Sequence, residues 1–453
     1  MVAVGLLAAC AVGPDYERPA LPAPATWLGD DAGFPTTAPS RAAWWQQLGS
    51  PQLDELVASC LQDNLDLRGA MARIRQARAA AGVADAANLP QLDGVGSYSR
   101  VRTTEATPSP VRGISYDTWT LGFDASWELD LFGRLSREQE ARGAELGASE
   151  GDATAVRLSL CAEVVTAYAG LVGATARRDV ADASVTAAEQ LVQLTAARAT
   201  GGVGSDLDTA RAQRLLAAAR ARIPAQDRAW NEARNRLAVL LGRTPDQLPA
   251  ALTQAARLGA VPDVVAIGLP ADLVERRPDV RAAEHRLHAA TARLGAALAE
   301  RFPRLSLTGF FGLEADRAGD LLQGSSRALR AGPQLRLPLF TGGGVGAQIA
   351  GREAAIDEAR ADLEQTVLRA FEEVENATSA LQNQRRQVAE LAAAVDAAER
   401  ARTFAQQRFD AGIDDFLAVL DAEQSRLDLA DQLAVATTEV VRQFAALQKA
   451  LGG

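Results

Sequence analysis

Glu284-His285-Arg286-Leu287-His288 holds both histidines of the chain, and a spacing of three puts the two imidazoles on one face of a helix, where they could bind a metal. No third ligand is marked near them, and the His-Glu-x-x-His pattern of zinc hydrolases is absent. Gly342-Gly343-Gly344 lacks the Lys-Ser/Thr pair that a phosphate loop requires, and no nucleophile elbow occurs. The sequence therefore predicts no enzyme, no metal site and no cofactor.

Cys10, Cys60 and Cys161 are an odd count without metal-ligand spacing, so a disulfide framework is not expected. Cys10 closes the apolar run Leu6-Leu7-Ala8-Ala9-Cys10, which resembles a bacterial lipobox. On that reading residues 1–9 are the remnant of a signal peptide, short and without a basic start, and Cys10 becomes an acylated N-terminus carrying palmitate. Acyl chains hold a protein on a membrane without spanning it. Ala11 in place of an Asp after the cysteine is compatible with sorting to the outer membrane. Residues 10–40 contain six prolines and read as an extended lipid-anchored tether.

A formal charge of -10 argues against nucleic acid as a partner, because phosphate binding needs clustered Lys and Arg. Aromatic residues are only 5% of the chain, so its cores must be built from Ala, Leu and Val, which suits closely approaching helices. No stretch reads as an apolar transmembrane helix, so any crossing of a bilayer must be made by strands.

The elements repeat. Val367, Val374, Leu381, Val388 and Val395 fall seven apart, and Ala370, Ala377, Leu391 and Ala398 form a second row three residues on, interrupted only by Gln384. That is a coiled-coil seam, and the roughly 65 residues from Gly343 to Phe409 would make a rod on the order of 100 Å long. Between Asp117 and Leu131 the period becomes two: Trp119, Leu121, Phe123, Ala125, Trp127 and Leu129 share one face of a strand, opposite polar neighbours. A fainter strand spans Gln91 to about Arg102, and two more are expected at Arg304–Glu314 and Gln334–Phe340. Residues 41–243 thus form a first repeat (helix, two strands, long helix, returning helix), 244–270 a linker, and 271–453 a second repeat. The long helices end at Gly201-Gly202-Val203-Gly204-Ser205 and at Ala411-Gly412-Ile413.

Four strands cannot close a barrel, and an open sheet in lipid leaves backbone groups unpaired at several kcal/mol each. Several chains must share one, and three would give roughly twelve strands. The expected fold is mainly α with a small β part: long antiparallel coiled-coil helices continue a trimeric β-barrel to which each chain gives four strands.

At this point the chain resembles the outer-membrane factor family of tripartite efflux systems, in its lipoprotein branch. The resemblance is carried by Cys10-Ala11-Val12-Gly13-Pro14-Asp15-Tyr16-Glu17-Arg18-Pro19, by Trp44-Trp45, by Leu129-Asp130-Leu131-Phe132-Gly133-Arg134, and above all by Leu269-Pro270-Ala271-Asp272-Leu273 running into Arg276-Arg277-Pro278-Asp279-Val280-Arg281-Ala282-Ala283-Glu284. It implies a homotrimeric channel in the bacterial outer membrane with a long periplasmic extension, working with a periplasmic adaptor and an inner-membrane efflux pump to pass small molecules such as drugs. It further implies a periplasmic aperture at Leu417 and Asp421, with Asp414 and Phe409 beside it, and adaptor contacts at the turns holding Gly201, Gly202, Gly204, Ser205 and Gly412. Phe409 stands where family members often carry Tyr. The competing readings are a type I protein-secretion duct and a periplasmic coiled-coil adaptor or scaffold.

Overall fold

The computed structural model describes residues 11–453 except 22, 29–33, 36–42, 107, 109–111, 203 and 249–257. Cys10 and residues 1–9 lie outside the described residues. The order is α1 (Pro51–Asp63), α2 (Leu65–Ala87), β1 (Gln91–Arg102), β2 (Ser115–Leu129), α3 (Arg134–Thr200), α4 (Asp206–Leu240), a short α5 (Pro270–Arg276), α6 (Pro278–Ala299), β3 (Arg304–Ala315), β4 (Arg327–Arg336), α7 (Gly344–Asp410) and α8 (Phe416–Ala450). The helices that follow the strands match in length: α3 and α7 are each 67 residues long and α4 and α8 each 35. Two compact units result, one of residues 1–20, 72–150 and 282–364, the other of 21–71, 151–281 and 365–453.

The first unit holds the sheet. Its order is β1-β2-β3-β4, antiparallel throughout. Register aligns Tyr98 with Trp119, Leu121 with Leu313, Phe123 with Phe311, and Leu305 with Leu335, so one face is apolar across all four strands. That face is open: Phe123, Phe311, Leu329 and Leu335 are each more than half exposed. The other face aligns Asp93 with Asp124, Ser126 with Thr308, Thr120 with Glu314, and Ser306 with Gln334. On this polar face Gly122 and Gly312 are partners, and the ring of Phe310, only 6% exposed, lies over both. Arg330 spans the Phe310 ring at 4.6 Å and gives both guanidinium ends to Glu314 at 2.8 and 2.9 Å.

The N-terminal segment packs against the first unit's helices. Val12 N–H donates to the Phe132 carbonyl at 3.0 Å. Gly13, at φ +100°, approaches the backbone of Gly295 so closely that a Cβ would lie 2.5 Å from its Cα. Arg137, 5% exposed, donates to Asp15 at 2.6 Å and to Glu140 at 2.8 Å. Burial works against the charge on Glu140, but bonds from Arg137 and His288 outweigh it and hold the carboxyl below the ordinary range.

The second unit is a helix bundle. Trp44, 1% exposed, meets Phe444 edge to face at 5.7 Å, and Leu48 and Tyr168 are fully buried. Arg277, 6% exposed, donates to the Ala450 carbonyl, to both oxygens of Asp279, and to Glu373 at 2.7 Å. The most specific sequence motif is thus a clamp that ties the start of α6 to α7 and to the end of α8. Along the seam Val367, Ala370, Val374 and Leu381 are fully buried, and the interrupting Gln384 donates to the Ala436 carbonyl of α8 at 3.3 Å.

Three expectations need correction. The single helix expected at the start of the first repeat is two helices, because Asn64 adopts extended backbone, donates to the Leu240 carbonyl at 2.8 Å and accepts from Leu67 N–H at 3.0 Å. The fourth strand lies earlier than Gln334–Phe340: Pro338 offers no N–H and restricts Leu337, which leaves Leu337, Leu339 and Phe340 outside the ladder. Pro333 is tolerated because β4 is an edge strand. Finally, α3 does contain a stretch long and apolar enough to cross a membrane. Half of it is buried inside the chain, and Val164, Val165, Tyr168 and Leu171 on this helix are core residues, so its apolarity serves packing.

Gly312→Val should break the sheet locally, since a Cβ there lies 2.5 Å from the Leu121 carbonyl oxygen and 2.6 Å from the Gly122 Cα. A loss of about 2 kcal/mol or more is expected. Heat-dependent gel mobility of the detergent-solubilised protein checks it, with Gly332→Val on open backbone as control.

Candidate functional site

Both helical turns of the second unit are built by glycine and capped by an acceptor. At the first, Gly201 and Gly202 N–H groups bond back to Ala197 and Ala199, and Gly202 takes φ +74°. Gly204 packs so closely that a Cβ would lie 2.7 Å from the Ala199 nitrogen. Ser205 then caps α4, accepting from Leu207 N–H at 3.0 Å, with Asp206 and Asp208 favoured in the first turn by the helix dipole.

At the second turn Gly412 takes φ +71°, its N–H bonds to Phe409 O, and Ile413 N–H bonds to Arg408 O. Asp415 caps α8 by accepting from Ala418 N–H at 3.3 Å. Arg408 closes the turn with two bonds to Asp414 at 2.5 and 2.9 Å. Those bonds hold the Asp414 carboxyl below its ordinary 3.8.

The turns share one core. Ala188, Leu191, Ala212 and Leu215 from the first pair of helices pack with Phe409, Phe416, Val419 and Leu420 from the second. Phe409 and Phe416 lie 5.7 Å apart, and the Arg198 guanidinium stands 4.3 Å over the Phe409 ring.

The structure therefore separates the four aperture residues suggested by resemblance. Leu417 and Asp421 lie on the exposed face of α8, Leu417 at 44% exposure. Phe409 is 6% exposed and belongs to the core, while Asp414 belongs to the turn's ion pair. The histidines do not converge as ligands: His285 packs against Gly147, and His288 stacks on Tyr16 at 4.5 Å and meets Glu140 at 2.8 Å.

Sequence reasoning missed a charged network a few turns above. Glu423, 5% exposed, pairs with Arg426 at 2.7 Å and lies 3.6 Å from Arg402, while Arg426 also reaches Glu399 at 3.3 Å. The available signal was the spacing of three in Glu399/Arg402 and Glu423/Arg426, facing each other across two antiparallel helices.

Comparisons with known proteins fit this frame. The solved outer-membrane channel OprN superposes with a TM-score of 0.92 at 36% identity, over 98% of this chain and 99% of that one. The open-state MtrE outer membrane channel of Neisseria gonorrhoeae gives 0.85 at 29% identity, covering 98% of each. In sequence, outer membrane protein OprJ of Pseudomonas aeruginosa is 34% identical over 99% of this chain and 93% of its own length. The toluene efflux pump outer membrane protein TtgI of Pseudomonas putida is 32% identical over 100% of this chain and 97% of its own. The profile "Outer membrane efflux protein" matches residues 56–243 and 269–453, and the chain belongs to that family.

Two outcomes follow for the second turn. The Arg408–Asp414 pair should persist above the ordinary Asp value of 3.8 and be lost as pH falls through the lowered one, so protection of the 411–414 amides from hydrogen exchange should fall only below that value. In Arg408→Gln that protection should already be reduced at neutral pH. Phe409→Ala should cost about 3 kcal/mol or more, read by chemical denaturation.

Proposed function

We propose that three copies of this chain form one outer-membrane conduit, anchored by lipid on Cys10, which takes small molecules from an inner-membrane pump through a periplasmic adaptor. The observation that carries this reading is the four-stranded sheet, apolar on one face and polar on the other, with β1 and β4 as open edges. Edges of that kind are satisfied in lipid only by the corresponding edges of neighbours. Threefold symmetry supplies them and turns the apolar face to lipid and the polar face to a water-filled lumen.

Within this reading Leu417 and Asp421 become two rings at the periplasmic mouth. A Leu ring resists hydrated solutes by dewetting, and three carboxylates repel anions. The two glycine turns, at Gly201, Gly202, Gly204 and Ser205 and at Gly412, are the surfaces an adaptor would grip. Phe409 and Asp414 support the mouth from behind, through the core and through the Arg408 pair. The names of the relatives, efflux and solvent pump components, favour small-molecule export over protein secretion.

Complementation tests the reading: the chain, expressed with its own pump and adaptor in a strain lacking its outer-membrane efflux component, should restore drug resistance. In planar bilayers the double variant Leu417→Ala, Asp421→Asn should raise single-channel conductance severalfold. Unchanged conductance would remove these residues from the aperture.

A further inference from the structure

Cys60 on α1 and Cys161 on α3 are free thiols in the structure, 1% and 4% exposed, and nothing in the channel's work uses them. Their positions are fixed relative to each other by polar contacts at both ends of α1. At its start, the Tyr168 hydroxyl lies 3.2 Å from Ser50 Oγ and donates to Gln52 Oε1 at 2.9 Å. At its end, the last turn of α4 and the residues just after it touch both helices: Arg236 pairs with Glu163, while Arg243 donates to Ser59 at 3.0 Å and Asp63 at 3.3 Å. Hence α1 runs antiparallel to this stretch of α3.

The register can be counted. From Gln52 to Cys60 is eight residues, about 12 Å of helix, and from Tyr168 back to Cys161 is seven, about 10 Å. The two sulfurs therefore come to the same level. They also face each other. Cys161 is two turns from Tyr168 and shares its face of α3, the face that touches α1. Cys60 continues the buried stripe Leu53, Leu56 and Val57 of α1. Packed helices about 8–10 Å apart bring such facing Cα atoms within the roughly 4.4–6.8 Å that a disulfide spans.

We propose that Cys60 and Cys161 are joined by a disulfide in the mature protein, closing a loop on the order of 100 residues that staples α1 to α3. This rests on the outer-membrane reading in one respect only, that export carries the chain through an oxidising compartment. The oxidant is a disulfide donor of the thiol–disulfide exchange class. The Cys60 thiolate attacks one donor sulfur and releases one donor thiol. The Cys161 thiolate then attacks Cys60 Sγ, forming the bond and releasing the second donor thiol, so two electrons pass to the donor and the two cysteine protons end on its thiols.

Burial, and then the neighbouring Cys161, pushes the Cys60 thiol up to about 12, and burial pushes Cys161 up to about 11. Thiols so shifted do not exchange once the helices have packed, which places the step during folding. A finished bond in the same place is closed to reductants.

Peptide mapping of protein from the outer-membrane fraction, without reductant, is the test. Tryptic peptides 42–68 and 158–177 should appear linked, separate only when reduced in denaturant, and stay linked after reductant is applied to the native protein. Loss of the link in Cys60→Ala should leave peptide 158–177 with a maleimide-reactive Cys161 in the denatured chain. Protein that fractionates with the outer membrane but shows both thiols free on denaturation overturns the disulfide and leaves the location intact. Should it fractionate elsewhere, refolding with glutathione disulfide decides: the linked peptide supports the geometry, and two separate glutathione adducts overturn it.

Discussion

Backbone hydrogen bonding at the sheet edges is the constraint from which the rest of the architecture follows. Each chain supplies four strands whose inner pairs are satisfied and whose outer edges, on β1 and β4, are not. The apolar face built by Tyr98, Trp119, Phe123, Phe311 and Leu329 would be a liability in water. In a bilayer that face is an asset, but the open edges become intolerable until other copies cover them. In the proposed trimer, fold, membrane and assembly are solved together.

The helical part obeys a different economy. With few aromatics, tight approach is achieved through Ala and Gly, and order is imposed by charge at chosen points. Arg277 shows the logic: burial disfavours its charge, yet Asp279, Glu373 and the Ala450 carbonyl surround it and more than compensate. One side chain thereby fixes where α6 begins and where α8 ends. Glu423 between Arg402 and Arg426 repeats the device closer to the turns.

Much of this was legible in the residues. The alternation of β2 and the heptads of α7 report periods of 2 and 3.5, which can be read without knowing the tertiary partners. The glycine turns were legible for a similar reason, because Gly202 and Gly412 hold backbone conformations that other residues resist. The break at Asn64 was not, since its cause is a carbonyl on Leu240, far along the chain. Nor was the stacking of Phe310 over Gly122 and Gly312, which needs the register of two strands from different halves of the sequence. At the turns, Phe409 read as a neighbour of the aperture on the strength of resemblance, whereas its place in a core with Leu191 and Leu215 depends on the first repeat meeting the second.

The matched lengths of the two repeats, 67 with 67 and 35 with 35, carry an evolutionary consequence. Because both turns close on a single core, neither long helix can gain or lose residues alone without lifting one turn off the other. Homologues with a deeper or shallower reach should therefore vary by paired indels, the same number of residues in each half and on both the outgoing and returning limbs, in steps that preserve the seven-residue phase.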